Sequence, residues 1–62
     1  MNAIKRARLL KGVTQIDLAK ELGVSHVTVN KWEKGKMFPD VKRLKQVADV
    51  LNVHVEDLLP KE

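Results

Sequence analysis

Ten residues separate Gly12 from Gly23, and eleven separate Gly23 from Gly35, so helix-stop signals cut the first half of this chain into short pieces. Each stop is followed by a start. Thr14 and Ser25 are residues whose side-chain oxygen can cap the first free N–H groups of a helix. Asp17, three positions after Thr14, completes a variant of the capping box. The apolar residues between these marks recur at helical spacing. Ala3, Ile4, Ala7 and Leu10 share one face of a first helix. Leu18, Ala19 and Leu22 line a second, and Val29 and Trp32 a third. Pro39-Asp40 opens a fourth, with Val41, Leu44, Val47, Ala48 and Leu51 as its stripe and Asn52 as its terminator. A short last helix is expected over about Val55 to Leu59, ended by Pro60. The run from Val24 to Val29 has the length and β-branching of a strand, but the Ser25 cap and Trp32 three positions after Val29 favour helix. The expected fold is all-α: five short helices in a single domain, residues 1–62, with no repeat and no linker.

A chain of 62 residues buries only roughly 60% of its unfolded surface, which leaves no cleft between domains. Without cysteine, no disulfide or thiolate metal site can staple it, and Trp32 and Phe38 are its only aromatics. No apolar run approaches a membrane span and no signal-peptide pattern opens the chain, so a cytoplasmic protein is expected. The net charge of +4 is unevenly spread. Residues 1–36 hold eight basic and three acidic side chains, a net +5, whereas residues 37–62 hold four basic and five acidic, a net −1. The first part is suited to a polyanion and the second is not.

Only Gly23, Val24 and Ser25 separate the second helix from the third. So short a link makes the helices cross steeply, the geometry of a helix-turn-helix over about residues 15–34. Close approach requires a small side chain inside the first of the two, and Ala19 is there. The turn requires a residue that tolerates a positive φ, and Gly23 is there. Leu18, Leu22, Val24, Val29 and Trp32 supply the apolar wedge.

The stretches Thr14-Gln15-Ile16-Asp17-Leu18-Ala19, Leu22-Gly23-Val24-Ser25 and Val29-Asn30-Lys31-Trp32-Glu33-Lys34-Gly35-Lys36 resemble the XRE-type, phage-repressor/Cro-like helix-turn-helix family. Phe38-Pro39-Asp40 and the segments Leu51-Asn52-Val53 and Asp57-Leu58-Leu59 are similar to its closing helices. The resemblance spans roughly residues 4 to 59. It implies a five-helix, prokaryotic or phage DNA-binding domain, usually a homodimer, that regulates transcription. It also implies that Arg8 pairs with Glu33 to orient the third helix, and that Gln15 meets a phosphate. The sequence departs from the family at His54, where a Ser or Asp cap is common, and at Asn52, where Gly is common, so fraying of the last helix is expected. With no sensor domain appended, ligand control within the chain is not expected.

With Val29 and Trp32 turned inward, the opposite face of the third helix carries Val27, Asn30, Lys31 and Lys34, flanked by His26 and Thr28. This motif presents such a face, N-terminal end first, to the major groove. Lys31 can donate to guanine O6 and N7, Asn30 can bond adenine, and Thr28 can serve several base edges. Val27 can touch a thymine methyl group. His26 can bond a base or phosphate, and its protonation would favour DNA. Gln15, Ser25, Lys34 and Lys36 are candidate phosphate contacts. Trp32 is assigned to the core with Arg8 and Glu33 as structural support, and Phe38 to packing of the loop that follows. Lys5, Lys11 and Lys20 are read as solubilising charges.

Other activities fare worse. His26 and His54 lie far apart, and no metal-ligand spacing, phosphate loop or nucleophile relay is present, so neither enzyme activity, a metal nor a cofactor is expected. The competing reading is an antitoxin or adaptor whose main partner is a protein. Leu9 and Ile16 fall off the core faces of their helices and, with Val53, Val55 and Leu59, form a candidate dimer or partner patch. The expected function is repression by a homodimer on a pseudo-palindrome, with half-sites about 34 Å apart.

Overall fold

A computed structural model describes residues 2–60 of the chain. Met1, Lys61 and Glu62, counted above in the domain and in its charge, lie outside the described residues. Four α-helices follow one another: α1 Ala3–Leu10, α2 Gln15–Leu22, α3 His26–Glu33 and α4 Val41–Leu51. Among the described residues a single 3₁₀ turn, Val55–Leu58, follows α4, and no strand occurs. The Val24–Val29 run is therefore the helical turn and the start of α3.

The helix starts follow from local capping. Thr14 Oγ1 accepts from the Asp17 N–H at 3.0 Å, Ser25 Oγ from the Thr28 N–H at 3.2 Å, and Asp40 Oδ1 from the Arg43 N–H at 2.8 Å. At the other ends of α2 and α4, Gly23 (φ 71°) and Asn52 (φ 55°) take the left-handed conformation that frees the chain from the helical path. Asn52 is the one non-glycine residue with positive φ among those described.

The expected fifth helix is a 3₁₀ turn instead, and Pro60 supplies the reason. A residue before proline is pushed out of the helical region, and Leu59 is extended at φ −75°, ψ 147°. Only four residues remain between His54 and Leu59, too few to build an α-helix. Its start is nevertheless closed, because the Asp57 carboxylate accepts from the His54 backbone N–H at 3.1 Å.

The core gathers Ile4 from α1, Leu18 and Leu22 from α2, Val29 and Trp32 from α3, Leu44, Val47 and Leu51 from α4, and Leu58 from the closing turn. Ala19 of α2 is buried in the same cluster, and Val24 is half-buried against it. Three residues expected in the apolar stripes lie outside it: Ala3, which is half-buried, and two that are largely exposed. Leu10 is 78% exposed and Val41 75% exposed. Both stand at a helix terminus, where the stripe runs past the elements that would cover it. A helical Cβ leans towards the N-terminus, so Val41, the first residue of α4, points beyond the core. Phe38, expected to pack the loop after α3, is also half-exposed, whereas its neighbour Pro39 is buried.

Candidate nucleic-acid interface

The α2–α3 unit holds one helix face out to solvent and fixes the other by polar contacts. On the outer side of α3, His26, Val27, Lys31 and Lys34 are exposed, with Thr28 and Asn30 half-buried beside them. Lys36 is exposed just beyond. Ser25 caps the helix with its hydroxyl, which also lies 3.3 Å from the Thr28 hydroxyl. At the start of each helix the first backbone N–H groups have no intrahelical partner, and a phosphate can accept from them.

Beneath the last turn of α3 lies the main charged contact of the fold. Glu33 and Arg8 are both 7% exposed. Arg8 Nε donates to Glu33 Oε2 at 2.6 Å, and a terminal guanidinium nitrogen donates to Oε1 at 3.0 Å. The other terminal nitrogen donates to the Val13 carbonyl at 2.8 Å, so Arg8 also fixes the chain just before α2. Gln15 Nε2 donates to Glu33 Oε1 at 3.0 Å. Burial pushes the Glu33 carboxyl up, but hydrogen bonds from Arg8 and Gln15, with the charges of Arg8 and Lys5, outweigh it and hold the group below the usual carboxylate range. The Arg8 guanidinium is raised by its hydrogen bond to Glu33, against burial, with the Glu33 charge adding to the rise.

Gln15, expected at a phosphate, thus spends one amide N–H on Glu33 and keeps a second N–H to donate. Two anchors escaped the sequence reading. Arg43 donates to the Leu22 carbonyl at 2.7 Å and to Gln46 Oε1 at 2.8 Å, tying α4 to the end of α2. Asn2 joins α1 to α3. An asparagine just before an apolar helix is a visible cap signal, but nothing local discloses a partner in another helix.

The candidate partner patch divides in two. Leu9 and Ile16 line a shallow depression of ≈ 490 Å³ beside Gln15 and His26. Val53 and Leu59 line a separate groove of ≈ 830 Å³ with Leu10, Met37, Phe38 and Leu58, and Val55 lines neither. The path of α1 separates them, since Leu9 and Leu10 leave the helix on different sides. Among the described residues no helix is long and apolar enough to cross a membrane, and no three His, Asp or Glu side chains converge as metal ligands do.

Comparison with known proteins assigns this arrangement. The helix-turn-helix family profile matches residues 4–58. The chain belongs to the XRE-type helix-turn-helix family of DNA-binding transcriptional regulators, which is not a class of enzymes. It is 44% identical over 57 residues to an uncharacterised HTH-type transcriptional regulator of Methanocaldococcus jannaschii, covering 92% of this chain and 86% of that one. It is 36% identical over 59 residues to an HTH-type transcriptional activator of Enterococcus faecalis, covering 95% of this chain but only 29% of the activator. A transcriptional repressor of the cryptic phage CTXphi in Vibrio cholerae is 33% identical over 45 residues, 73% of this chain and 40% of the repressor.

Proposed function

We propose that this protein is a sequence-specific repressor that lays α3 in the major groove as a homodimer on a pseudo-palindromic site in the cytoplasm. The observation that carries this reading is the outer face of α3, where Val27, Lys31 and Lys34 stand in solvent beside Asn30 and Thr28. Lys31 and Asn30 bond base edges, Val27 meets a thymine methyl group, and His26 and Thr28 contact bases at the N-terminal end. Gln15, Ser25, Lys34 and Lys36 grip phosphates, which sets register without reading sequence. Repression needs only occupancy of the site. The likeness to one named repressor supports that sign, and the likeness to one named activator makes a reporter assay its test.

The groove is the favoured dimer surface over the shallow depression, for a geometric reason. The molecule measures 29 × 23 × 22 Å. Two copies packed side by side across the short axes have centres closer than the ~34 Å between half-sites, so their reading ends must lie away from the two-fold axis. Trp32, Gly35 and Lys36, at the C-terminal end of α3, line the groove, whereas His26 at the N-terminal end lines the depression. Pairing across the groove sends both N-terminal ends outward, and pairing across the depression brings them together. The groove is also lined by basic Arg6 and Lys11 and by acidic Asp57, charges that a two-fold axis can set into opposite-charge contact.

Selection of bound duplexes from a random pool tests the whole reading. It should return inverted half-sites about one helical turn apart, with affinity falling by roughly 0.9 log units per log unit of salt for each phosphate contact. Leu10→Lys should abolish pairing on the full site while leaving half-site binding intact. Selection of single, unpaired sites would exclude the dimer. Binding insensitive to salt would exclude DNA and favour a protein partner.

A further inference from the structure

The last turn of α3 is held by a side chain that no DNA contact uses. Asn2 caps α1: its Oδ1 accepts from the Ile4 N–H at 2.8 Å and the Lys5 N–H at 3.2 Å. Its Nδ2 donates at 2.9 Å to the backbone carbonyl of Trp32, 30 positions away. One amide therefore serves two helices, its oxygen starting α1 and its nitrogen closing α3. The Trp32 carbonyl belongs to the terminal turn, where carbonyls lack the usual partner four residues on. It also accepts from the Gly35 N–H at 3.2 Å, while the Lys31 carbonyl accepts from the Lys36 N–H at 2.9 Å. Asn2 completes this closure from outside the helix-turn-helix unit.

We infer that Asn2 is a positioning residue for sequence recognition: its amide fixes how α3 sits against α1, and thereby how Asn30 and Lys31 meet base edges. This rests on the reading of α3 as the recognition helix. Asn30 and Lys31 immediately precede Trp32, so the fixed carbonyl is close to the residues that read. Base-edge hydrogen bonds weaken steeply as they lose alignment, whereas lysine contacts to phosphate tolerate displacement. Loosening the anchor should therefore cost specificity more than general affinity. The dual role needs an acceptor and a donor on one short side chain, which asparagine has. Aspartate keeps the cap but sets a carboxylate against the Trp32 carbonyl. Serine also caps, with no charge and no amide to donate.

The test compares full-length wild type, Asn2→Asp and Asn2→Ser on two duplexes: one selected by the wild type from a random pool, and a scrambled duplex of equal length. Both variants should lose about five- to tenfold in affinity for the selected duplex, the worth of one neutral hydrogen bond. Affinity for the scrambled duplex should change by less than about twofold, with the salt slope of binding unaltered. Because serine adds no charge, a shared loss excludes simple repulsion of DNA by aspartate. In amide exchange, Ile4 and Lys5 should stay protected in Asn2→Asp while Gly35 and Lys36 exchange faster. An unchanged ratio between the two duplexes in both variants would overturn the inference, as would equal losses on both. A wild type that selects no sequence refutes the recognition role of α3 itself, and unchanged exchange at Gly35 and Lys36 would then also refute the anchor.

Discussion

The two faces of α3 follow opposite physical rules. Val27, Lys31 and Lys34 on the outer face are left in water, while on the inner face Val29 and Trp32 are sealed in the core and Glu33 is gripped by Arg8 and Gln15. A group waiting for a base edge must be solvated and unpaired, because a pre-existing partner would have to be broken on binding. A group that sets the helix position must be paired and dry, because only there does a hydrogen bond hold its geometry against water. The outer face is therefore expected to govern affinity and sequence preference with little effect on folding. The inner face should govern folding, and sequence preference only through alignment.

Replacing Arg8 breaks this contrast most severely. Arg8→Met strands a buried carboxylate and should cost about 3–5 kcal/mol in urea unfolding. The double replacement Arg8→Met/Glu33→Leu removes both charges and should recover most of that loss. If the pair orients α3, the double variant folds yet discriminates poorly between selected and random DNA; undiminished discrimination would make the pair a matter of stability alone.

On the outer face, Lys31→Ala should lose roughly 1–3 kcal/mol on the selected site and relax preference at one base position, with unfolding unchanged. Equal losses on selected and random duplexes would remove Lys31 from the reading set.

Acid separates the faces by a third route. The Glu33 carboxyl titrates below its usual range in the folded protein, so its pairing stabilises fully above the unfolded carboxyl's ordinary pKa. That stabilisation is lost as pH falls through the depressed folded value. Unfolding followed between about pH 6 and pH 3 should show a steeper loss in the wild type than in the Arg8→Met/Glu33→Leu variant. Parallel curves would mean that Glu33 contributes nothing through its charge.

The smallest effect belongs to the loop beyond α3. Lys36→Ala should weaken binding to all sequences alike and reduce the salt slope by about 0.9, the signature of one lost phosphate contact. A selective loss on one site would move Lys36 into the reading set.

The solvent-facing side of α3 was legible beforehand, because its periodicity divides inward Val29 and Trp32 from exposed Val27, Lys31 and Lys34, with Asn30 half-buried between them. What holds that helix was legible only in part. Resemblance to the family pointed to Arg8 with Glu33, but the bond from Gln15 to Glu33 and those from Asn2 to Trp32 and Arg43 to Leu22 join residues 18 to 30 positions apart. The division of the surface patch was hidden for a similar reason. Leu9 and Leu10 are neighbours in the chain but line different depressions, which no periodicity within α1 discloses.

By itself the sequence determined where helices begin and end, and which face of α3 turns out. Caps such as Thr14 to Asp17 and Ser25 to Thr28 act within three residues and need no tertiary contact. Pro60 likewise acts on its immediate neighbour, and its limit on the last helix was set locally even though the resulting 3₁₀ turn was not foreseen. Tertiary structure alone decided that Leu10 and Val41 stay in water, that the apolar surface splits, and that Asn2 closes α3. Burial and long-range hydrogen bonds depend on what lies opposite a residue, and only the packing of α1 and α4 around the helix-turn-helix brings those opposites into place.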